Sequence, residues 1–362
     1  MAFTKTGVVT APSIVPSAFG LLAVAKPENA PSENEWTRGF AQEWETTVEN
    51  ISNWDDTDTA QGIIVSGATV NYYDDIKPFF VEVDETRSTL GFNGIDRVAR
   101  ISSQLEGITQ KAMETELWDG EIRISEGHDN KALTSSSVSV LNGGTALSAK
   151  RALALLEHSV AAASQGGELG AIHLTRDVSA ILASNSNMIF HDKETEHLQT
   201  SNGASIVVGS GYSGNGPRIS PATASVSTNV LTINTSTPHF LTAGDAVILQ
   251  LSGTGIALSK GTYTVASVTD ADTFTVALTA SDASSTAVSG YVQEVGSATE
   301  KWIYATGLVK TFVGDVDVVN DNLSQAYDVS GNANDMRLKA IRPVAAYFDP
   351  SIHLAVKVDL TA

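Results

Sequence analysis

The 362-residue chain contains no cysteine. That removes disulfides, thiolate nucleophiles, iron–sulfur clusters and cysteine-type zinc sites together. Bases are scarce: 22 Lys and Arg stand against 41 Asp and Glu, a net charge of −19. A chain so poor in cations is a weak candidate for gripping phosphates. No uninterrupted apolar run is long enough to cross a bilayer. The mildly apolar stretch 12–25, with Ala23-Val24-Ala25 resembling a cleavage site, is broken by Pro12 and Pro16 and preceded only by Lys5, so a secretion signal is not expected. The hydrophobic content of 42% is ample for packed cores, and the length allows two or three domains.

The most informative segment is 94–117. Val98, Ile101, Leu105, Ile108 and Ala112 recur at steps of three and four, which places them on one helix face. Asn93 or Asp96 is the candidate cap, and Trp118-Asp119-Gly120 the stop. Such a helix spans roughly 35 Å and reads as a strut.

Residues 1–60 read as an arm. Trp36, Phe40 and Trp44 follow an i, i+4, i+8 spacing that predicts a short amphipathic helix, with Trp54 beyond it. These aromatics are expected to dock either on the chain's own body or on a neighbour. Strand signals at 62–65, 68–72 and 78–83, which include Tyr72, Phe79 and Phe80, suggest a long hairpin projecting from the body. After the strut, a second helix is predicted over about 147–163, with Leu153, Leu156, Val160 and Ala163 as its stripe and Gly166-Gly167 as its end. A strand at 170–174 leads into a helix over 176–184. Another strand, 204–208, enters the glycine-rich stretch 209–217.

Composition then changes. Residues 219–297 are rich in Thr, Ser, Val and Ala, and Lys260 is their only Lys or Arg. Alternating strands at 230–235, 246–251, 262–268, 273–278 and 288–295 predict an all-β module of sandwich or small-barrel type. Strands resume over 302–362.

The module resembles the small β modules of tailed-phage virion proteins, through Thr237-Pro238-His239, Leu241, Gly244-Asp245 and Gly261-Thr262-Tyr263-Thr264-Val265. The order of parts resembles the major capsid proteins of tailed double-stranded-DNA phages, the Hong Kong 97-type fold. The resemblance is carried by the strut closing in Trp118-Asp119-Gly120 and by Gly170-Ala171-Ile172-His173-Leu174-Thr175-Arg176-Asp177. Further along it is carried by Ala204-Ser205-Ile206-Val207-Val208, Lys301-Trp302-Ile303-Tyr304-Ala305-Thr306-Gly307 and Arg342-Pro343-Val344-Ala345. It covers most of the chain except 219–297. It implies an α+β fold: an N-terminal arm (1–60), an extended E-loop with its leading strand (61–92), and the spine helix with P domain (93–145). The A domain (146–218), an inserted β domain (219–297), the A-domain return (298–325) and C-terminal P-domain strands (326–362) would follow. Some relatives cross-link a loop Lys to an Asn of another subunit. Lys77 lies near the loop but has no alignable Asn partner, so that chemistry is not carried over.

Motifs that could carry chemistry are weak. Gly209-Ser210-Gly211-Tyr212-Ser213-Gly214 fits G-x-G-x-x-G after a strand, but Asn215-Gly216-Pro217 follows where a phosphate-binding helix must begin. His191, Glu194, Glu196 and His197 lack zincin spacing and read as a solvated turn. Asp55-Asp56-Thr57-Asp58 lacks the glycine and terminal Glu of a calcium loop and remains at most a weak intersubunit cation site. His173 reads as a satisfied core histidine, and Ser213 lacks the second glycine of a nucleophile elbow. No catalytic residue, metal site or cofactor is expected.

The expectation is therefore a structural, non-enzymatic subunit that self-assembles into pentamers and hexamers of an icosahedral head in the host cytoplasm. Portal, scaffold and decoration proteins would be partners, DNA would be enclosed without sequence-specific binding, and no membrane is involved. Trp36, Phe40, Trp44, Trp54, Tyr72, Phe79 and Phe80 are the expected intersubunit contacts. A nanocompartment shell of the encapsulin type, or a secreted β-rich adhesin or carbohydrate-binding protein, are the alternatives.

Overall fold

The computed structural model describes residues 17–28, 36, 40–50, 64–88, 97–128, 130–163, 170–184, 189–191, 198–320 and 335–362. Residues 93 and 96, 55–58, 166–167, 192–197 and Trp54, all named above, lie outside them.

The strut is helix α2 (Arg97–Asp119), preceded by the single turn α1 (Leu21–Val24). Ile101, Leu105, Met113, Leu117 and Trp118 are buried along its inner face. Val98, predicted for that face, is exposed, because the packed surface begins only at Ile101. Gly120, at φ 62°, ends the helix in the left-handed region and turns the chain into α3 (Glu121–Glu126). Glu116 caps α3 from the previous helix, accepting the amides of Ile122 (2.9 Å) and Arg123 (3.0 Å).

One side of α2 is covered by a four-stranded sheet. β3 (Phe79–Ser88) pairs antiparallel with β20 (Asp335–Phe348), whose other edge takes β18 (Val309–Val313) and β19 (Asp317–Asn320). Phe79, Val81, Leu338, Ala340 and Val344 face the helix in one core with Ile101 and Leu105.

The second layer system is a mixed sheet. Its order is β4 (Ser139–Val140), β21 (His353–Asp359), β17 (Glu300–Thr306), β6 (Ala171–Leu174), β9 (Ser205–Val208), β8 (Leu198–Thr200) and β7 (Ile189–His191), with β5 (Leu147–Ser148) also on β21. Alternation along β17 divides the cores. Ile303 and Ala305 join the cluster under α4 (Ala149–Ala163) and α5 (Arg176–Ser184). Trp302 and Tyr304 join the cluster around the end of α2. The final strand β21 thus sits inside this sheet and not with the β20 layer, so 326–362 divides between two sheets. Its near-continuous burial requires neighbours on both edges and both faces. Likewise 298–325 divides, β17 going to the mixed sheet and β18 and β19 to the helix-covering one. The second helix begins two residues later than the predicted 147, because Leu147 and Ser148 pair with β21. Ala163, at its fraying end, is exposed.

The predicted helix over 36–44 is corrected. From Phe40 the chain is strand β1 (Phe40–Asn50), antiparallel to β2 (Ile64–Ile76) from Phe40↔Ile76 to Asn50↔Ile64. Helical aromatic spacing yields to pairing across a β-branched stretch, Thr46-Thr47-Val48. The hairpin partner of β2 is therefore the arm and not β3, and the 60/61 boundary cuts through one ribbon.

Residues 221–294 close on themselves as an antiparallel barrel. Its strands are β11 (Pro221–Ser227), β12 (Val230–Thr235), β13 (Ala246–Gly253), β14 (Ile256–Val268), β15 (Thr273–Ala277) and β16 (Ala283–Glu294). β16 closes the ring by pairing β11 with its first half and β13 with its second. Gly290, at φ 117°, lies where β16 crosses Gln250 so closely that a Cβ would be 1.9 Å from its carbonyl oxygen. Leu231, Ile233, Val247, Leu249, Phe274 and Val292 fill the interior. β11, built of small residues, carries too little apolar signal to be read from sequence.

A strained residue seats the barrel. Phe240 holds φ 56°, a conformation that costs a bulky residue about 1–2 kcal/mol. Its ring packs over Gly144 and lies 6.4 Å from the Trp302 ring. A Cβ at Gly144 would fall 2.4 Å from that ring, at φ 72°. Gly144→Ala is expected to lower stability by about 2 kcal/mol or more in urea titration. An unchanged midpoint would show that the barrel is not seated through Phe240.

Candidate functional site

The densest polar arrangement lies where α2 meets the glycine-rich stretch. Glu114 is fully buried on the helix. Its Oε1 accepts the Leu21 amide (3.0 Å) and Gln110 Nε2 (2.9 Å). Its Oε2 accepts the Ser210 amide (2.6 Å), Ser210 Oγ (3.0 Å) and the Gly211 amide (3.0 Å). Successive backbone amides around one carboxylate form an anion nest. The G-x-G-x-x-G stretch does bind an anion, and that anion is the chain's own side chain. Gly211 must lack a Cβ, which would stand 2.5 Å from the Lys111 carbonyl.

The same loop reaches the barrel joint. Asp119 Oδ1 faces Ser213 Oγ and Asn215 Nδ2 at 3.4 Å and Gln293 Nε2 at 3.5 Å, and burial pushes its carboxyl above the usual range. Arg218, 4% exposed, stacks on Tyr291 (4.4 Å) and pairs with Glu121 at 2.5 Å. Lys260 Nζ takes the other Glu121 oxygen at 2.7 Å. On the far side, Asp245, Glu294 and Glu300 converge in the spacing of a cation site. Lys357 already pairs with two of them, 2.8 Å from Glu294 and 2.7 Å from Glu300, and Trp302 Nε1 donates to Glu294 at 2.9 Å. Burial raises Glu294 against the opposing pull of Lys357. Burial lowers Lys357, but the two glutamates outweigh it and hold it above its ordinary value. This is an internal ion-pair network. Its members lie too far apart in sequence, at 245, 294, 300 and 357, to be grouped without the fold.

His173 is the satisfied core histidine read from the sequence: Nδ1 meets Tyr212 Oη at 2.8 Å and Nε2 meets Thr306 Oγ1 at 3.1 Å. Burial pushes it down to about 3. His353, bound to the Leu133 carbonyl at 2.8 Å, is pushed down to about 4 for the same reason. Ser213 faces Asp119 and has no base beside it in a triad. His191 packs on Phe19, 5.6 Å between rings.

The aromatics are dispersed. Phe40 and Trp44 stand on β1 and Tyr72 on β2, with Trp44 opposite Asn71 and Tyr72 opposite Glu43. Trp36 packs on the chain's own Ile76, Phe312 and Tyr347. Phe79 is 8% exposed in the core beneath α2, which leaves almost nothing for a neighbour and corrects its assignment as a contact. Phe80, the next residue of the strand, points the other way and is 60% exposed. Among the described residues no helix is long and apolar enough to cross a membrane.

Two outcomes follow from the buried groups. Glu114→Ala takes the acceptor from the buried Leu21 amide and from the half-buried Ser210 and Gly211 donors, and is expected to cost about 3 kcal/mol by chemical denaturation. Glu114→Gln should cost less, about 1–3 kcal/mol, since one oxygen persists. His173 and His353 stay neutral when folded but take up protons near pH 6.5 when unfolded. Their stabilisation is full above pH 6.5 and is lost as pH falls toward about 4 and then about 3. Thermal midpoints should fall across that window. A midpoint rising from pH 6.5 to 4.5 would contradict the assignment.

No family model matches this sequence, and no curated protein sequence is similar to it. Among solved structures, the chain is similar to one described as Mycobacterium phage Adephagia (9% identity, TM-score 0.46, 98% of this chain and 94% of that one covered). It is also similar to the capsid of a native GTA particle (9%, 0.45, 99% and 94%) and to the asymmetric unit of the bacteriophage PhiM1 mature capsid (9%, 0.39, 99% and 91%). Over nearly its whole length, the chain is thus similar to solved capsid structures.

Proposed function

We propose that the chain is a structural, non-enzymatic subunit of a closed shell, a major capsid protein of Hong Kong 97 type that builds pentamers and hexamers around packaged DNA. The observation that carries this reading is the β1–β2 ribbon. Its strands of 11 and 13 residues pair with each other and, among the described residues, with no other strand. At ~3.3 Å per residue the longer strand extends roughly 43 Å. A lone two-stranded ribbon is marginal in water, so it needs a surface to lie on. Another copy of the same chain supplies that surface repeatedly, and closed symmetry turns the repeat into a shell. Obligate contacts of this kind commonly bury above ~2,000 Å².

In this reading α2 is the spine, and the β3–β20 layer covering it is the P domain. The mixed sheet with α4 and α5 is the A domain, and the 221–294 barrel is an insertion displayed on the outer surface that steadies the shell. Phe40, Trp44, Tyr72 and exposed Phe80 are the contact residues. Net charge of −19 keeps an enclosed polyanion from adhering to the wall.

Negative-stain microscopy of the purified protein should show closed particles, and dispersed monomers would refute the assignment. Replacing residues 41–72 by a short Gly-Ser linker should leave the two cores folded by circular dichroism and abolish particles. Particles from that variant would remove the ribbon from the account. Removing the barrel should lower the melting temperature of assembled particles.

A further inference from the structure

The β1–β2 ribbon passes into the body through two residues. β2 ends its ladder at Ile76, opposite Phe40, and β3 begins its own at Phe79, opposite Val344. Lys77 and Pro78, between them, belong to neither ladder. Pro78 has no amide to donate, and it biases Lys77 toward extended backbone. A side chain from elsewhere grips this joint. Asn130 Oδ1 accepts the Lys77 amide at 2.8 Å, and Asn130 Nδ2 donates to the Lys77 carbonyl, also at 2.8 Å. One side-chain amide thus pairs with both main-chain groups of one residue, as a neighbouring strand would. Asn130 is itself mounted on a held segment. Its carbonyl accepts Arg123 Nη1 of α3 at 2.5 Å. Ala132, Leu133 and Thr134 are fully buried. The Leu133 amide donates to the Leu117 carbonyl of α2 (2.8 Å), and the Leu133 carbonyl accepts His353 Nε2 of β21 (2.8 Å). The Thr134 amide donates to the Trp118 carbonyl (3.1 Å), and the Thr134 carbonyl accepts the Arg218 amide (2.7 Å), where the chain enters the barrel.

We propose that Asn130 is a positioning residue for assembly: it pins the pivot between ribbon and body, and so sets the direction in which the ribbon reaches a second copy of this chain. Leverage makes one side chain matter. The longer ribbon strand extends roughly 43 Å, so a turn of about 10° at Lys77 carries its far end roughly 7 Å, more than the ~4.8 Å between paired strands. Ile76 packs with Phe312, Ala345 and Tyr347 beside the joint. Apolar packing is non-directional, so it holds the joint in place without fixing its angle. Two hydrogen bonds from one planar amide do fix an angle. The segment that carries the pin also meets α2, α3, β21 and the entry to the barrel, so the ribbon is referred to the whole body and not to one strand. The assembly half of this inference rests on the shell reading. The pin itself holds or fails on dispersed subunits.

The chain has no cysteine, so spin labels go only where cysteines are introduced. Ser66→Cys on β2 with Glu106→Cys on α2 reports the ribbon against the body. Glu106→Cys with Ala154→Cys on α4, both exposed, reports the body alone. By double electron–electron resonance, Asn130→Ala should broaden the first distance distribution roughly twofold and leave the second unchanged, while the Lys77 amide exchanges roughly tenfold faster. Asn130→Asp keeps the acceptor and loses the donor, and should fall between. A ribbon distribution that Asn130→Ala leaves unchanged overturns the proposal. So does equal broadening of both pairs, which would make Asn130 a residue of the general fold. Under electron microscopy, Asn130→Ala should turn particles of one diameter into mixed sizes or open sheets. Uniform particles from a variant with a broadened ribbon overturn the assembly half. No particles from the unsubstituted chain would refute the shell reading, while the distance measurement still decides the pin.

Discussion

Glu114 sets a constraint that most of the body obeys. A carboxylate fully buried in the middle of a helix must be surrounded by donors, and here they come from chain segments about 90 residues away in each direction. The N-terminal segment supplies Leu21, and the loop after β9 supplies Ser210 and Gly211. The same N-terminal segment then continues outward. The Phe19 carbonyl accepts the Val208 amide, Thr311 Oγ1 donates to the Ala25 carbonyl, and the Glu28 amide donates to the Thr311 carbonyl. Residues 17–28 thus touch the mixed sheet, α2 and the β18–β20 layer in succession. Two sheets that already share the core around α2 are tied further by one strap, and the strap is held at its middle by one acid.

The barrel obeys a different constraint. The ring is closed on itself, so its main-chain pairing with the body is short: Arg218 and Ile219 pair with Gln293 and Val292 of β16, the Gly216 amide donates to the Glu294 carbonyl, and side chains supply the rest of the attachment. Phe240 is pressed against Gly144, Arg218 and Lys260 share Glu121, and Gln293 and Glu294 on β16 bond the Gly216 carbonyl and Trp302. These contacts surround the barrel's base from α3, the glycine-rich loop and β17. A jointed appendage on two peptide links would need none of them, so the barrel is built onto the body.

Much of this was legible in the sequence wherever a single period governs burial. Ile101 and Leu105 mark the strut because one helix face meets one sheet. The alternation of 230–235 and 273–278 is legible because the barrel has one dry interior. Gly120 works as punctuation because its left-handed backbone, at φ 62°, favours glycine. Reading failed where tertiary pairing overrode local pattern. Phe40 and Trp44 carry helical spacing and become strand because β2 lies beside them, and β21 reads like β20 yet enters another sheet. It failed most at the junction. Glu114 is one acid among several on a predicted helix, and nothing local says that it points inward. The G-x-G-x-x-G loop was set aside because no helix follows it, and the carboxylate it does hold lies on a helix read only as a strut.

The ribbon draws its purpose from this rigidity. Its base is fixed: Ile76, 1% exposed, and Trp36 pack with Phe312, Ala345 and Tyr347 on the β18–β20 layer. That layer is bound to α2, and α2 to the mixed sheet through Glu114 and Trp118, whose ring meets Tyr212 at 4.7 Å and Tyr304 at 4.9 Å. The base of the ribbon is therefore tied to the body. The shell proposed above would need that property, because a heterologous contact forms a ring only when each copy is placed at the same angle to the last. With no cysteine for disulfides, the angle has to come from packing and buried hydrogen bonds. A chain that invests its buried polar groups in internal geometry, while among its described residues the two long ribbon strands pair with no third, has the mechanical division that the proposed assembly would demand.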